Sequence, residues 1–160
     1  MHALIGISVK ATNHDEAVDQ AEDYFNDRLL NNYGIDWGVP VEDGERYDNI
    51  PVPCPVLSPK GIAFADRCME NTRDAFYESM KIIRKGLEAI SDEDLWKEDN
   101  YELMLRYHMN QAGAYGGHAI RLYDESWGEG VRDAGSYDKV QMEWNDDTSE
   151  TWIVPMDIHY

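Results

Sequence analysis

Basic residues are scarce in this chain. Its 160 residues hold 14 Lys plus Arg against 32 Asp plus Glu, a formal net charge of −18 with histidine neutral. Proteins that grip nucleic acid do so largely through Lys and Arg on phosphates, so direct nucleic-acid binding is not expected. The same shortage argues against an anionic membrane surface as a partner. Long apolar runs are also missing. The longest, Ala3 to Val9 with Gly6 and Ser8 inside it, is far shorter than the ~20 residues of a membrane-spanning helix. No basic stretch precedes it, so no secretory signal is expected. Cys54 and Cys68 are the sole cysteines, too few for a zinc set, and free thiols in a reducing cytoplasm are expected.

Motifs of catalysis are equally thin. The sequence has no GxSxG elbow and no HExxH. The glycine run Gly113 to Gly117 leads from a predicted helix into a predicted strand with no Lys after it. A phosphate loop runs the other way, into a helix N-terminus. The acidic stretches Asp43 to Asp48 and Asp124 to Gly135 lack the residue order of a calcium loop. No two of the five histidines stand four apart as on a metal-binding helix. One convergence is worth carrying forward. If the last strand lies beside the one begun by His118, then His118, Asp124, Asp157 and His159 could meet as a divalent-metal or acid–base set. A metal-dependent enzyme using His118, Asp157 and His159 is therefore one alternative; no other cofactor is implied.

What the chain does have is a core. Apolar residues make up 42% and aromatics 11%, with five Trp, enough to fold as one domain and to exclude disorder. Ala3 to Val9 reads as a strand. Asn13 and Glu16 stand at capping-box spacing before a helix with Val18, Ala21, Phe25 and Leu29 on one face, ended near Gly34. Ile35 to Val41 reads as a short strand, and the four prolines at 51, 53, 55 and 59 make an extended, irregular 40–60 segment. From Gly61 a stripe of Ile62, Ala65, Met69, Thr72, Phe76, Met80, Ile83, Leu87 and Ile90 predicts a long helix, with another restarted at Ser91 and continued over 101–112. His118 to Tyr123, Tyr137 to Trp144 and Thr151 to Ile158 read as three strands, the last being an edge or bulged strand because of Pro155. The expected architecture is a single α+β domain spanning 1–160. Its sheet is antiparallel-rich, an N-terminal strand plus a C-terminal meander, with three helices on one face.

The strongest signal is the distribution of acid. Asp15, Asp19, Asp23 and Asp27 recur every four residues along the first helix, an arrangement that costs about 0.2–0.5 kcal/mol per like-charged pair at low salt. Other clusters surround Glu42, Asp92 and Glu143, and Lys is rarer than Arg. Carboxylates spread through every segment fit adaptation to molar salt, where repulsion is screened over ~3 Å. The regular line on the first helix fits a second idea, mimicry of DNA. Four helical residues rise about 6 Å, near the ~6.8 Å spacing of alternate phosphates on one strand. The leading expectation is a non-enzymatic, cytoplasmic accessory or interaction protein of a salt-adapted organism or its virus, acting in the host cytoplasm if viral. Its partner would be a protein, with Trp127, Tyr137, Trp144 and Trp152 as a contact patch. The alternatives are a DNA-mimic inhibitor of a basic, nucleic-acid-binding defence protein, a virion structural component, and the metal enzyme. Self-association is compatible with all of them.

Overall fold

The computed structural model describes residues 2–31, 34–41, 47, 49–97, 105–112, 120–146 and 150–159. Strand β1 (His2–Lys10) buries Ile5, Ile7 and Val9 on one face, while Leu4, Gly6 and Ser8 point to the other. Helix α1 (His14–Tyr24) begins where Asn13 Oδ1 accepts from Glu16 N at 3.0 Å. The Glu16 carboxylate reaches back to Thr12, accepting from its backbone N at 2.8 Å and from its hydroxyl at 2.5 Å. The helix then loosens into a π turn over Phe25–Leu29, closed by Leu30 N donating to Phe25 O. Phe25 and Leu29, four residues apart on one face, both pack onto the sheet. Gly34 has φ 74, the left-handed geometry expected at that turn.

The sheet is mixed, in the order β2-β6-β1-β4-β5. Here β2 is Trp37–Pro40, β4 is Leu122–Asp124, β5 is Glu129–Gly130 and β6 is Thr151–His159, while the two-residue β3, Cys54–Pro55, also pairs with β6. β1 runs antiparallel to β6 along their whole lengths and parallel to β4. β6 is therefore an interior strand, although Pro155 sits in it. Gly6 donates to Arg121 O rather than across to Pro155, so the backbone of Pro155 faces the β2–β3 side. There its carbonyl accepts from Val41 N at 2.8 Å. The N–H that proline lacks falls at the break between β2 and β3, where no ladder bond is called for. Being an edge is not the only way a strand can accommodate proline.

Helices cover both faces, not one. α1 packs on the face of Ile5, Ile7, Val154, Met156 and Ile158. On the other face lie α2 (Pro59–Ala89) and α5 (Ala134–Asp146), which bring Phe64, Cys68, Val140 and Trp144 against Leu4, Leu122 and Ile153. α3 (Asp92–Lys97) and α4 (Leu105–Ala112) follow α2, making five α-helices among the described residues. The expected C-terminal meander does not form: Tyr137 to Trp144 is helical, and β4 lies beside β1 rather than β6. The architecture remains a single α+β domain.

In α2, Ser58 caps the helix by accepting from Gly61 N at 3.1 Å, and Pro59 occupies the first turn where its missing N–H costs nothing. The apolar stripe is wider than the face the helix buries. Phe64, Cys68, Ser79 and Gly86 are buried, whereas Ile62, Phe76 and Leu87 are exposed. Gly86 gives α4 room, since a Cβ there would lie 2.9 Å from Leu105 Cδ1. Both cysteines are free; burial pushes the Cys68 thiol up to about 12, leaving it an inert packing group. No helix among the described residues is long and apolar enough to cross a membrane.

Candidate functional site

The parallel pair β1 and β4 sends its chain to opposite faces of the sheet. β1 continues into α1 on one side, while β4 passes through the β5 hairpin into α5 on the other. Where neighbouring parallel strands part in this way, their carboxyl ends leave a crevice, the usual ligand position of open α/β sheets. A cavity of about 840 Å³ lies there, bounded by Ser8 and Lys10 of β1, Asp124 and its turn, and Glu143, Trp144 and Asp146 of α5.

Asp124 is the hub of its floor and is 4% exposed. Its Oδ2 accepts from Ser8 Oγ at 2.5 Å and from Trp144 Nε1 at 3.0 Å. Its Oδ1 accepts from Ser126 N at 3.0 Å and from the Ser126 hydroxyl. Four donors fill the carboxylate, which explains how a charge is tolerated so far from water. One side chain thereby fastens β1, the turn after β4 and α5 together. The rim carries Glu125, whose N donates to Ser8 O at 2.9 Å, and Glu143, whose Oε2 is 2.9 Å from Ser126 Oγ. Four carboxylates and one ammonium, Lys10, therefore line the crevice. Chemically the arrangement suits a cationic group. Ser8 donates into Asp124 with no imidazole among the described lining residues, so it has no base to activate it.

A family model described as a domain of unknown function, DUF7995, matches residues 1–160. The chain belongs to the DUF7995 family. No curated protein and no solved structure matches it.

Of the metal candidates in this DUF7995 chain, Asp124 alone belongs to the crevice. Asp157 shares its sheet face but pairs with Leu4, while Asp124 pairs with Ser8. The two are thus about 13 Å apart along β1 at the ~3.3 Å rise of a strand. Asp157 accepts from Tyr47 OH at 2.7 Å and lies 3.1 Å from His2 Nδ1. His159 instead meets Asp36, at 2.8 Å, and stacks on Trp37. His118 lies outside the described residues, as do Glu42, Asp43, Glu45 and Asp48. Among the described residues no group of three His, Cys, Asp or Glu could hold a metal.

The four aromatics expected to form one patch are divided by the sheet. Tyr137 and Trp144 meet edge to face at 6.1 Å, and Trp127 packs on the same face under Lys139. Trp152 belongs to the opposite face, beside His14. Trp144 is core and not surface, because Tyr137, Val140 and Trp144 recur at helical spacing. Of the acidic line, Asp15, Asp19 and Asp23 are exposed on α1, and Asp27 is exposed in the π turn. Sequence inspection passes over Ser8 and Ser126, and sees Glu143 only as a member of an acidic cluster. The detectable signal is local: Asp124 and Ser126 stand at Asx-turn spacing directly after a strand.

The hydrogen bond from His159 holds the Asp36 carboxyl below the usual carboxylate range, and Thr12 does the same for Glu16. Both groups favour the folded state when ionised. Their contribution is complete above the ordinary carboxylate range and is lost as pH falls through the lowered folded values. An NMR titration of the carboxyl carbons should find Asp36 titrating at lower pH than in His159→Phe. Identical midpoints in the two proteins would remove the His159 bond as the cause.

Proposed function

We propose that this protein is a non-enzymatic acidic interaction protein of a salt-adapted organism or its virus, working in the cytoplasm. In this reading the crevice between β1 and β4 receives a Lys or Arg side chain from a protein partner. The observation that carries it is the crevice itself, where Glu125, Glu143 and Asp146 gather over a floor whose one carboxylate is already saturated by donors. Exposed rim carboxylates above a rigid floor favour docking a cation over transferring a proton. Salt adaptation rests on the exposed acid spread over most segments and on the rarity of Lys.

The test has two arms. Raising KCl from about 0.1 to 3 M, where the Debye length drops to ~3 Å, should raise the melting temperature. A rise of about 10 °C corresponds to roughly 3–4 kcal/mol of relieved repulsion for a chain of this size. An unchanged melting temperature counts against salt adaptation. In the second arm, an arginine-rich peptide should bind the wild type and be lost when Glu125, Glu143 and Asp146 are changed together to Gln, Gln and Asn. Equal binding by that variant would move the contact elsewhere.

The exposed row of Asp15, Asp19 and Asp23 favours a second reading, a DNA mimic that occupies the groove of a basic nucleic-acid-binding protein. Under that reading, partner binding is competed by duplex DNA and abolished by neutralising the α1 row rather than the crevice rim.

A further inference from the structure

The outer face of α2 carries charge in a definite order. Arg67, Glu70 and Asp74 precede Tyr77, and Lys81, Lys85 and Glu88 follow it, each step being three or four residues. At the pitch of an α-helix these positions fall within an arc of about 80°. The arc lies nearly opposite the buried side of Phe64, Cys68, Thr72, Ser79 and Ile83. All of its residues are exposed, Tyr77 at 61%. From the N-terminal end the signs run plus, minus, minus, then Tyr77, then plus, plus, minus. From the C-terminal end every sign is inverted.

Two ordinary reasons for charge order on a helix fail here. The dipole favours acid in the first turn and base in the last, and its reach ends there. α2 has no acid in its first turn and no base in its last. Pairing within one helix sets opposite charges four apart. In α2 the pairs Glu70–Asp74, Asp74–Glu78 and Lys81–Lys85 are like charges four apart, unfavourable in an isolated chain. The ion pairs along this face, Lys81 with Glu78 at 3.6 Å and Arg73 with Asp74 at 3.3 Å, are exposed and easily exchanged. Blocks that repel within one chain match between two. When a second α2 lies antiparallel, Arg67 faces Glu88, Glu70 faces Lys85 and Asp74 faces Lys81, while Tyr77 meets its own copy on the axis. A parallel partner would set like against like. α2 is also where two chains of net charge −18 can approach, with six basic residues against five acidic. α1, with five acidic and no basic, lies across the sheet from it.

We propose that the outer face of α2 is a self-association surface, on which two copies of this chain pair antiparallel about a two-fold axis beside Tyr77. The contact is isologous, each charged position meeting its opposite twice. It shares no residue with the acidic crevice and stands whether or not a basic partner docks there.

Sedimentation equilibrium of the whole chain at about 0.15 M KCl, where charges are felt over ~8 Å, tests it. The wild type should dimerise with a Kd of about 10–100 µM, in keeping with a small polar interface. Lys81→Glu with Lys85→Glu sets acid opposite Asp74 and Glu70 and should weaken the dimer about tenfold or more. Glu70→Lys with Asp74→Lys sets base opposite Lys85 and Lys81 and should do the same. All four positions are exposed, so neither double variant disturbs the core. Mixed together, the two variants should form a heterodimer about as tight as the wild-type dimer, because each restores the charges that the other reversed. That recovery also shows that both are folded. A wild-type chain that stays monomeric overturns the proposal. So does undiminished dimerisation of either variant alone, or a mixture that stays monomeric.

Discussion

Asp124→Asn should destabilise the protein by about 3 kcal/mol, despite matching the native side chain in size and shape. Each oxygen of Asp124 accepts one bond from a hydroxyl and one from an N–H. The hydroxyls of Ser8 and Ser126 can rotate and become acceptors. The Ser126 backbone N–H and the Trp144 indole N–H cannot. Whichever way the asparagine amide is turned, its NH2 confronts one of these two donors. An unmet buried donor costs about 1–3 kcal/mol, and here both the amide and its opponent go unsatisfied. In a chain of this length 3 kcal/mol lowers the melting temperature by roughly 6–12 °C. A loss below about 1 kcal/mol in urea titration, at the low end for one unmet donor, would mean that the turn after β4 relaxes and that Asp124 is not the fastening described above.

A methyl group at residue 61 should do comparable damage. Replacing glycine by alanine inside a helix ordinarily gains up to about 1 kcal/mol. At Gly61 the added Cβ would lie 2.4 Å from Pro55 O and 2.6 Å from Val56 O. Both are backbone atoms of the segment that adds β3 to the sheet, so no side chain can swing aside. Overpacking of this kind costs about 1–3 kcal/mol and sometimes more. Gly61→Ala is therefore expected to lose about 2 kcal/mol net. Gly135→Ala, whose Cβ meets nothing nearer than Asp133 Oδ1 at 3.5 Å, should be neutral or stabilising. Equal stability of the two variants would show that the β3 segment yields easily.

The elements written in local pattern were legible beforehand. β1 follows from an apolar run between polar residues, α1 from Asn13 and Glu16 at its start, and α2 from a stripe stepping by three and four. α5 was not, for a definite reason: Tyr, Val, Met and Trp suit a strand, and their alternation from Tyr137 to Trp144 is short enough to satisfy either period. Buried Val140 and Trp144, with half-buried Tyr137, belong to the helical one. Pro155 misled in a different way. Its acceptance inside the sheet depends on where β2 stops and β3 begins, which no local pattern states. The crevice was hidden by separation along the chain, because Ser8 and Asp124 become neighbours through a parallel pairing across 116 positions. Asp124 appeared beforehand as a metal candidate, and its actual partners are two hydroxyls and two N–H groups.

The pairing of β1 with β6 also governs how the chain must fold. His2 lies opposite His159, and nine consecutive pairs join the earliest strand to the latest. On the ribosome, β1 emerges first and then waits for nearly all of the chain before its longest partner appears. Contacts this remote in sequence make folding slow, because the closing loop must be ordered before they return any stability. Through that interval Ile5, Ile7 and Val9 belong to a strand with an open flank, the state in which a nascent chain is most prone to pair with the wrong neighbour.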